Sequence, residues 1–166
     1  MAAVRPAAGR WGRNGAYRIL VVDDRQTTRE ILEAMLPRFG YRCTVVESGE
    51  DALSALAAED YDAVITDLIM PNMSGFELLS GIRERYNSSE LPVIVLTVKG
   101  EEEQLASALG RGANDFVQKP VNYTALLARL ESHLATREHF LESQRARTAA
   151  EARTAALEAL SGEIEG

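Results

Sequence analysis

Five short runs of β-branched and aliphatic residues punctuate the chain between Tyr17 and about Thr136: Arg18–Val22, Arg42–Val46, Ala63–Asp67, Val93–Thr97 and Asp115–Gln118. Runs of this length and composition predict strands. Ile19-Leu20-Val21-Val22 and Val93-Ile94-Val95-Leu96 are apolar without alternation, the pattern of strands covered on both faces. Between the runs, apolar residues three and four apart predict helices. The first window holds Ile31, Leu32, Met35 and Leu36 and closes near Pro37 and Gly40. In the second, Ser48 and Asp51 have capping-box spacing, with Asp in place of Glu, ahead of Ala52, Leu53 and Leu56. The third carries Phe76, Leu78, Leu79 and Ile82. The fourth carries Leu105, Ala106 and Leu109 and ends at Gly110 or Gly112, and the fifth begins after Asn122.

Strands alternating with helices at this spacing predict an α/β fold, a doubly wound parallel sheet with helices on both faces. The last helix should close near Thr136, yet helical composition continues to Leu160, with no Pro after Asn122 and no Gly before Gly162. Leu127, Leu130, Leu134 and Leu141 form a stripe at spacings of three, four and seven, which weakens to Ala149, Ala152, Ala156 and Leu160. Alanine favours helix but buries little area, so a seam there is weak. The expected organisation is a flexible leader over 1–16, a domain over 17–136 and a helical linker over 137–166. That linker is a candidate coiled coil, read as truncated before an output domain.

In a doubly wound sheet the site lies beyond the carboxyl ends of the strands. The first run leads into Asp23-Asp24, the third ends at Asp67, the fourth at Thr97, and the fifth leads into Lys119-Pro120. Three carboxylates gathered at one sheet edge repel unless a cation neutralises them. Mg2+, a hard ion that keeps several waters and takes one or two carboxylates, suits them. The same groups suit phosphoryl transfer to a carboxylate, with the lysine and metal offsetting charge and the hydroxyl donating a hydrogen bond. Residue types alone do not say which Asp attacks.

Composition narrows the partners. The formal net charge of −7 argues against non-specific nucleic-acid binding by this segment. No apolar run approaches the ~18–20 residues that span a bilayer, and the first sixteen residues lack the apolar centre of a secretory signal. Cys43 is the single cysteine and fits a small buried hydrophobe in a reducing cytoplasm. His133 and His139, six residues apart, do not share a helix face and read as solvated or partly packed.

Six stretches together resemble the response-regulator receiver family of two-component signalling. They are Ile19–Asp24, Asp62–Pro71, Gly75–Glu77, Pro92–Thr97, Gly112–Phe116 and Lys119-Pro120, in family order and spacing across Tyr17 to Thr136. The resemblance implies a flavodoxin-like sheet of order 2-1-3-4-5 with five helices, and Asp67 as phosphoacceptor. It implies Mg2+ held by Asp23, Asp24 and Asp67, with Asp23 acting partly through water and the Ile69 backbone carbonyl completing the protein ligands. Thr97 and Lys119 would contact the phosphoryl group, Phe116 would move inward with Thr97 as a switch, and the Lys119-Pro120 bond would be cis. The implied partner is a histidine kinase or phosphotransfer protein. The helix beyond Thr136 reads, from its own stripe, as a signalling helix that forms a homodimer with its copy, against the alternative of a charged single helix or a disordered linker, and the lone cysteine fits a cytoplasmic location.

Three positions depart from the family pattern. Val98 is bulkier than the usual small residue, Ile69 is apolar where many relatives are polar, and Arg25 follows the acidic pair. The first two imply slow self-hydrolysis of the phosphorylated form, because attacking water is poorly positioned. A degenerate receiver acting only as an interaction module would explain Val98 and Arg25, but not the retained Asp23, Asp24, Asp67, Thr97 and Lys119. A phosphatase with an Asp nucleophile would need a second Asp two residues on, where Ile69 stands. The expected molecule is therefore a signalling phosphoacceptor rather than a conventional enzyme.

Overall fold

A computed structural model describes residues 16–164 of the 166-residue chain. The leader expected over 1–16 lies outside the described residues, except for Ala16. The five expected strands form with the expected bounds: β1 Arg18–Val22, β2 Arg42–Val46, β3 Ala63–Asp67, β4 Val93–Thr97 and β5 Asp115–Gln118. They make one parallel sheet in the order β2-β1-β3-β4-β5, the doubly wound flavodoxin-like order. The order in which strands are added reverses at β1, with β2 on one side and β3 on the other, so the carboxyl ends of β1 and β3 border the switch point.

Five α-helices follow the strands: α1 Gln26–Met35, α2 Gly49–Ala58, α3 Gly75–Arg83, α4 Glu102–Gly110 and α5 Tyr123–Ile164. A 3-10 turn, Leu36–Phe39, extends α1 with Pro37 in its first turn and stops at Gly40, whose φ of 87° is left-handed. Ser48 caps α2 by accepting from the Asp51 N–H at 3.1 Å, as its spacing suggested. Ser74 caps α3 in the same way, through the Glu77 N–H at 3.2 Å.

Alternate residues of each strand face opposite sides, which divides the core in two. Leu20, Val22, Val64, Val93 and Val95 pack with Ala52 and Leu56 of α2, Leu78, Leu79 and Ile82 of α3, and Ala108 of α4. Ile19, Val21, Ala63, Ile65, Ile94 and Leu96 pack with Leu32 of α1 and with Leu126, Leu130 and Leu134 of α5. The site is thus mounted on strands with nearly every side chain buried, so its backbone has little freedom to shift.

Two arginines not singled out by the sequence tie the lower half together. The Arg83 guanidinium donates to the carbonyls of Leu91, Tyr86, Asn87 and Gly112 and to the Asn114 side chain, at 2.8–3.2 Å. Burial pushes its pKa down to about 10, which still leaves it charged at neutral pH. Arg137, in α5, donates to the Glu90 carbonyl at 2.6 Å and pairs with Asp62 at 2.9 Å.

The last helix is unbroken through Ile164, beyond the Thr136 close expected for the domain's last helix. Leu126, Leu130 and Leu134 are buried, whereas every residue from Ala146 to Ile164 is exposed, including Leu157, Leu160 and Ile164. No helix among the described residues is long and apolar enough to cross a membrane.

Candidate functional site

Each site residue sits where a buried strand meets a loop. Asp23 follows β1 and is fully buried, Asp67 ends β3 with 7% exposure, Thr97 ends β4 with 3%, and Asp24 is exposed. Asp23 is anchored by its own turn: one carboxylate oxygen accepts from the Arg25 N–H at 2.8 Å, and its carbonyl accepts from the Arg29 guanidinium at 2.8 Å. Arg25, unusual for its sequence position, therefore serves the site through its backbone and directs no hydrogen bond of its guanidinium there.

Gly75, the first residue of α3, closes the β3 turn from behind. Its N–H donates to the Leu68 carbonyl at 2.8 Å. A Cβ there would lie 2.5 Å from the Asp67 carbonyl oxygen and 2.8 Å from Leu68 Cα. Its role is close approach rather than unusual dihedrals.

The carboxylates of Asp23, Asp24 and Asp67 each offer an oxygen within 4.8 Å of the others. An all-oxygen set of this compactness, with one exposed member open to water, fits Mg2+ chemically. Lys119 enters from the opposite strand, with Nζ 3.0 Å from Asp23 Oδ2 and 3.2 Å from Asp67 Oδ2. Its backbone N–H donates to the Thr97 carbonyl at 2.5 Å, fastening the ends of β4 and β5. The Lys119-Pro120 bond is cis, as the resemblance implied.

Burial raises the Asp67 pKa above the usual carboxylate range. The Lys119 ammonium opposes that rise, Asp23 adds to it, and the Ile69 N–H hydrogen bond also opposes it. For Lys119, burial alone would lower the pKa, but the hydrogen bond to Asp23 and the two carboxylate charges raise it instead. The lysine therefore stays cationic between two acids, the state needed to hold an incoming dianion.

Ile69 and Val98 flank Asp67 on two loops and are 48% and 41% exposed. Phe116, in β5, is half-buried against the core, with the Arg129 guanidinium 5.8 Å from its ring centroid. Asp115 beside it accepts from Arg129 at 2.7 Å and bonds the His133 ring at 2.9 Å. His133 is thus partly packed, and His139 is exposed. Burial raises the Asp115 pKa, but these hydrogen bonds, the Phe116 N–H and the Arg129 charge together bring it below the ordinary range.

Cys43 is partly buried rather than the buried hydrophobe expected, because β2 is an edge strand of the sheet. Burial, then the Glu33 charge, pushes its thiol up to about 12, so it is a poor nucleophile. Tyr123, at the start of α5, was not flagged by any motif. Burial raises its hydroxyl pKa, Lys119 opposes the rise and Asp23 adds to it, which puts the ring within electrostatic reach of the site.

Comparisons with known proteins agree with this geometry. The model of the response regulator receiver domain matches residues 19–131. An uncharacterized 14.6 kDa protein from the sodA1 3' region of Leptolyngbya boryana is 39% identical over 115 residues, covering 69% of this chain and 88% of that protein. The transcriptional regulatory protein PcoR of Escherichia coli is 35% identical over 117 residues, covering 70% of this chain but only 51% of PcoR. The signal receiver domain of an HD domain-containing protein from Pseudomonas fluorescens Pf-5 superposes with a TM-score of 0.71 at 27% identity, covering 76% of this chain and 93% of that one. A putative response regulator from Chloroflexus aurantiacus J-10-fl gives 0.67 at 31%, covering 72% and 98%. With that match over more than half its length, the chain belongs to the response regulator receiver domain family of two-component signalling.

Proposed function

We propose that the chain is a working phosphoacceptor, taking a phosphoryl group onto Asp67 from a phosphohistidine of a histidine kinase or phosphotransfer protein. An Asp67 carboxylate oxygen attacks phosphorus, the P–N bond breaks, and the donor imidazole leaves with the electron pair and takes up a proton. Asp23, Asp24, Asp67 and the Ile69 carbonyl would hold Mg2+, which when bound offsets charge on the transferring phosphoryl oxygens. Lys119 would release Asp67 Oδ2 and pair with the new phosphoryl group, and the Thr97 hydroxyl would donate to one of its oxygens. Thr97 moving inward would draw Phe116 after it, changing the surface of α4 and β5.

The observation that carries this reading is the Lys119 ammonium bridging Asp23 and Asp67 at 3.0 and 3.2 Å beside Asp24. A degenerate interaction module has no need of that buried cation between acids. The exposed Leu157, Leu160 and Ile164, spaced three and four apart on α5, support a parallel homodimer through that helix. A cytoplasmic location follows from the kinase partner, and the output beyond this segment is left unassigned.

Incubation with Mg2+ and acetyl phosphate, followed by intact mass measurement, tests the reading. One phosphoryl adduct, absent in Asp67→Ala, is expected, with a shift in oligomeric state that beryllofluoride reproduces. No adduct, or one that survives in Asp67→Ala, would move the chain to the interaction-module reading.

A further inference from the structure

β5 is an edge strand of the sheet, and one side chain of α5 reaches around that edge. Phe116 packs with the core under α2, α3 and α4, whereas Leu126, Leu130 and Leu134 seat α5 on the opposite face. The Arg129 guanidinium nevertheless stands 5.8 Å from the Phe116 ring centroid. It also donates to Asp115 Oδ1 at 2.7 Å, and that same oxygen accepts from the Phe116 N–H at 2.9 Å. Asp115 Oδ2 bonds the His133 ring at 2.9 Å, one turn further along α5. Phe116 is thus held twice, through its backbone by Asp115 and across its ring by Arg129.

We propose that Arg129 is a positioning residue for the switch: fixed by Asp115, its guanidinium holds the Phe116 ring in its half-buried place and opposes inward movement. The inference rests on the reading above, in which phosphorylation of Asp67 draws Thr97 and then Phe116 inward.

Three observations support the clamp. A guanidinium within ~6 Å of a ring centroid is attracted by the ring's quadrupole, and a planar group already fixed by a carboxylate loses little freedom in making that contact. Asp115 is the one acid with which Arg129 pairs among the described residues, so the guanidinium has no competing anchor. The third is direction. Thr97 pairs in register with Gln118 and Val95 with Phe116, so Thr97 and Phe116 share one face of adjacent strands. The ring can follow the hydroxyl only along that face, towards β4 and away from a side chain that wraps the outer edge of β5. Inward movement therefore gives up the contact with Arg129, and the clamp weights the resting position. Arg129 and His133 both belong to α5, which runs unbroken to Ile164, so the switch and the long helix share one anchor.

Fluorine NMR of the chain labelled with para-fluorophenylalanine tests the clamp, the Phe116 resonance among the four phenylalanines being assigned by Phe116→Leu. Its shift on passing from light to heavy water reads exposure of the ring. Beryllofluoride with Mg2+ should reduce that isotope shift in the unaltered chain. Arg129→Gln and Asp115→Asn should each reduce it part-way without either reagent, whereas a ring that stayed in place would become more exposed on losing its cover. Both substitutions should also speed labelling of Asp67 by acetyl phosphate, Arg129→Gln by about threefold. They change net charge in opposite directions, so a rise in both is not a charge effect. The Arg129 side chain is 45% exposed, so its replacement leaves the core intact. A Phe116 signal that beryllofluoride moves but either substitution leaves in place would overturn the clamp alone, as would slower labelling. A signal that neither beryllofluoride nor the substitutions move would overturn the clamp together with the switch on which it rests.

Discussion

Arg137 Nη1 lies 2.9 Å from Asp62 Oδ1, joining the long last helix to the foot of the strand that carries Asp67 at its head. The other Asp62 oxygen accepts from the Arg18 N–H at 2.7 Å, so one carboxylate couples α5 to β1 and β3 together. Both partners are largely buried, which places the pair above the usual worth of surface ion pairs.

Arg137→Ala should cost about 2 kcal/mol, in line with a charged hydrogen bond of limited exposure. It should also speed amide exchange in α5 from position 138 to 145 while leaving Asp67 phosphorylation at its normal rate. Exchange measured by mass spectrometry checks this, and unchanged protection in that stretch would show the pair to be idle.

Lys119→Ala leaves the buried Asp23 and Asp67 carboxylates without the ammonium they share. Removing one partner of a buried pair is expected to destabilise by roughly 3 kcal/mol. Mg2+ should recover more stability in this variant than in the unaltered protein, because the ion replaces the missing charge. Urea unfolding with and without Mg2+ measures both terms, and equal Mg2+ effects would contradict the electrostatic account.

Slow loss of the phosphoryl group is the expected outcome of placing apolar, exposed Ile69 and Val98 just after Asp67 and Thr97. Ile69→Asn with Val98→Ala should shorten the phosphoryl half-life about tenfold, equal to ~1.4 kcal/mol of barrier. A half-life of seconds in the unaltered protein, rather than minutes or longer, would defeat the argument.

Cys43 gives a pH dependence with a definite sign. Its folded pKa is pushed up to about 12, against about 8.5 for an ordinary thiol. Above that ordinary value the unfolded chain loses a proton that the folded chain keeps, so stability falls as pH rises. The contribution is intact below about pH 8.5 and declines towards the folded pKa. Urea midpoints at about pH 8 and about pH 10 should therefore differ less in Cys43→Ala than in the unaltered protein. Equal differences would assign the alkaline loss to other groups, such as Tyr17, whose hydroxyl is also pushed up to about 12 by burial and then Glu138.

The fold was legible because β1, β3 and β4 are short and buried and Ser48 and Ser74 cap α2 and α3, so hydrophobic period and turn chemistry agree. All five strand bounds coincide with those read from the sequence. The clustering of Asp23, Asp24, Asp67 and Lys119 was legible through one further rule, that strand ends of a parallel sheet share an edge. Arg83 and Arg137 were not. Their partners are mostly backbone carbonyls and a distant Asp, and carbonyls leave no trace in residue identity. The continuity of α5 was legible as composition, whereas its anchoring to β3 depends on three-dimensional packing alone.

Gly75 has a consequence for how sequence changes are tolerated. Any side chain there would press on the carbonyl of Asp67 at 2.5 Å, so even alanine must displace the β3–α3 turn by a fraction of an ångström. In-line attack tolerates little such displacement, since misplacing a reacting group by about 1 Å can cost a hundredfold in rate. Loss of signalling by a substitution at position 75 would thus be a defect of aim, in a protein whose carboxylates, lysine and stability are otherwise intact.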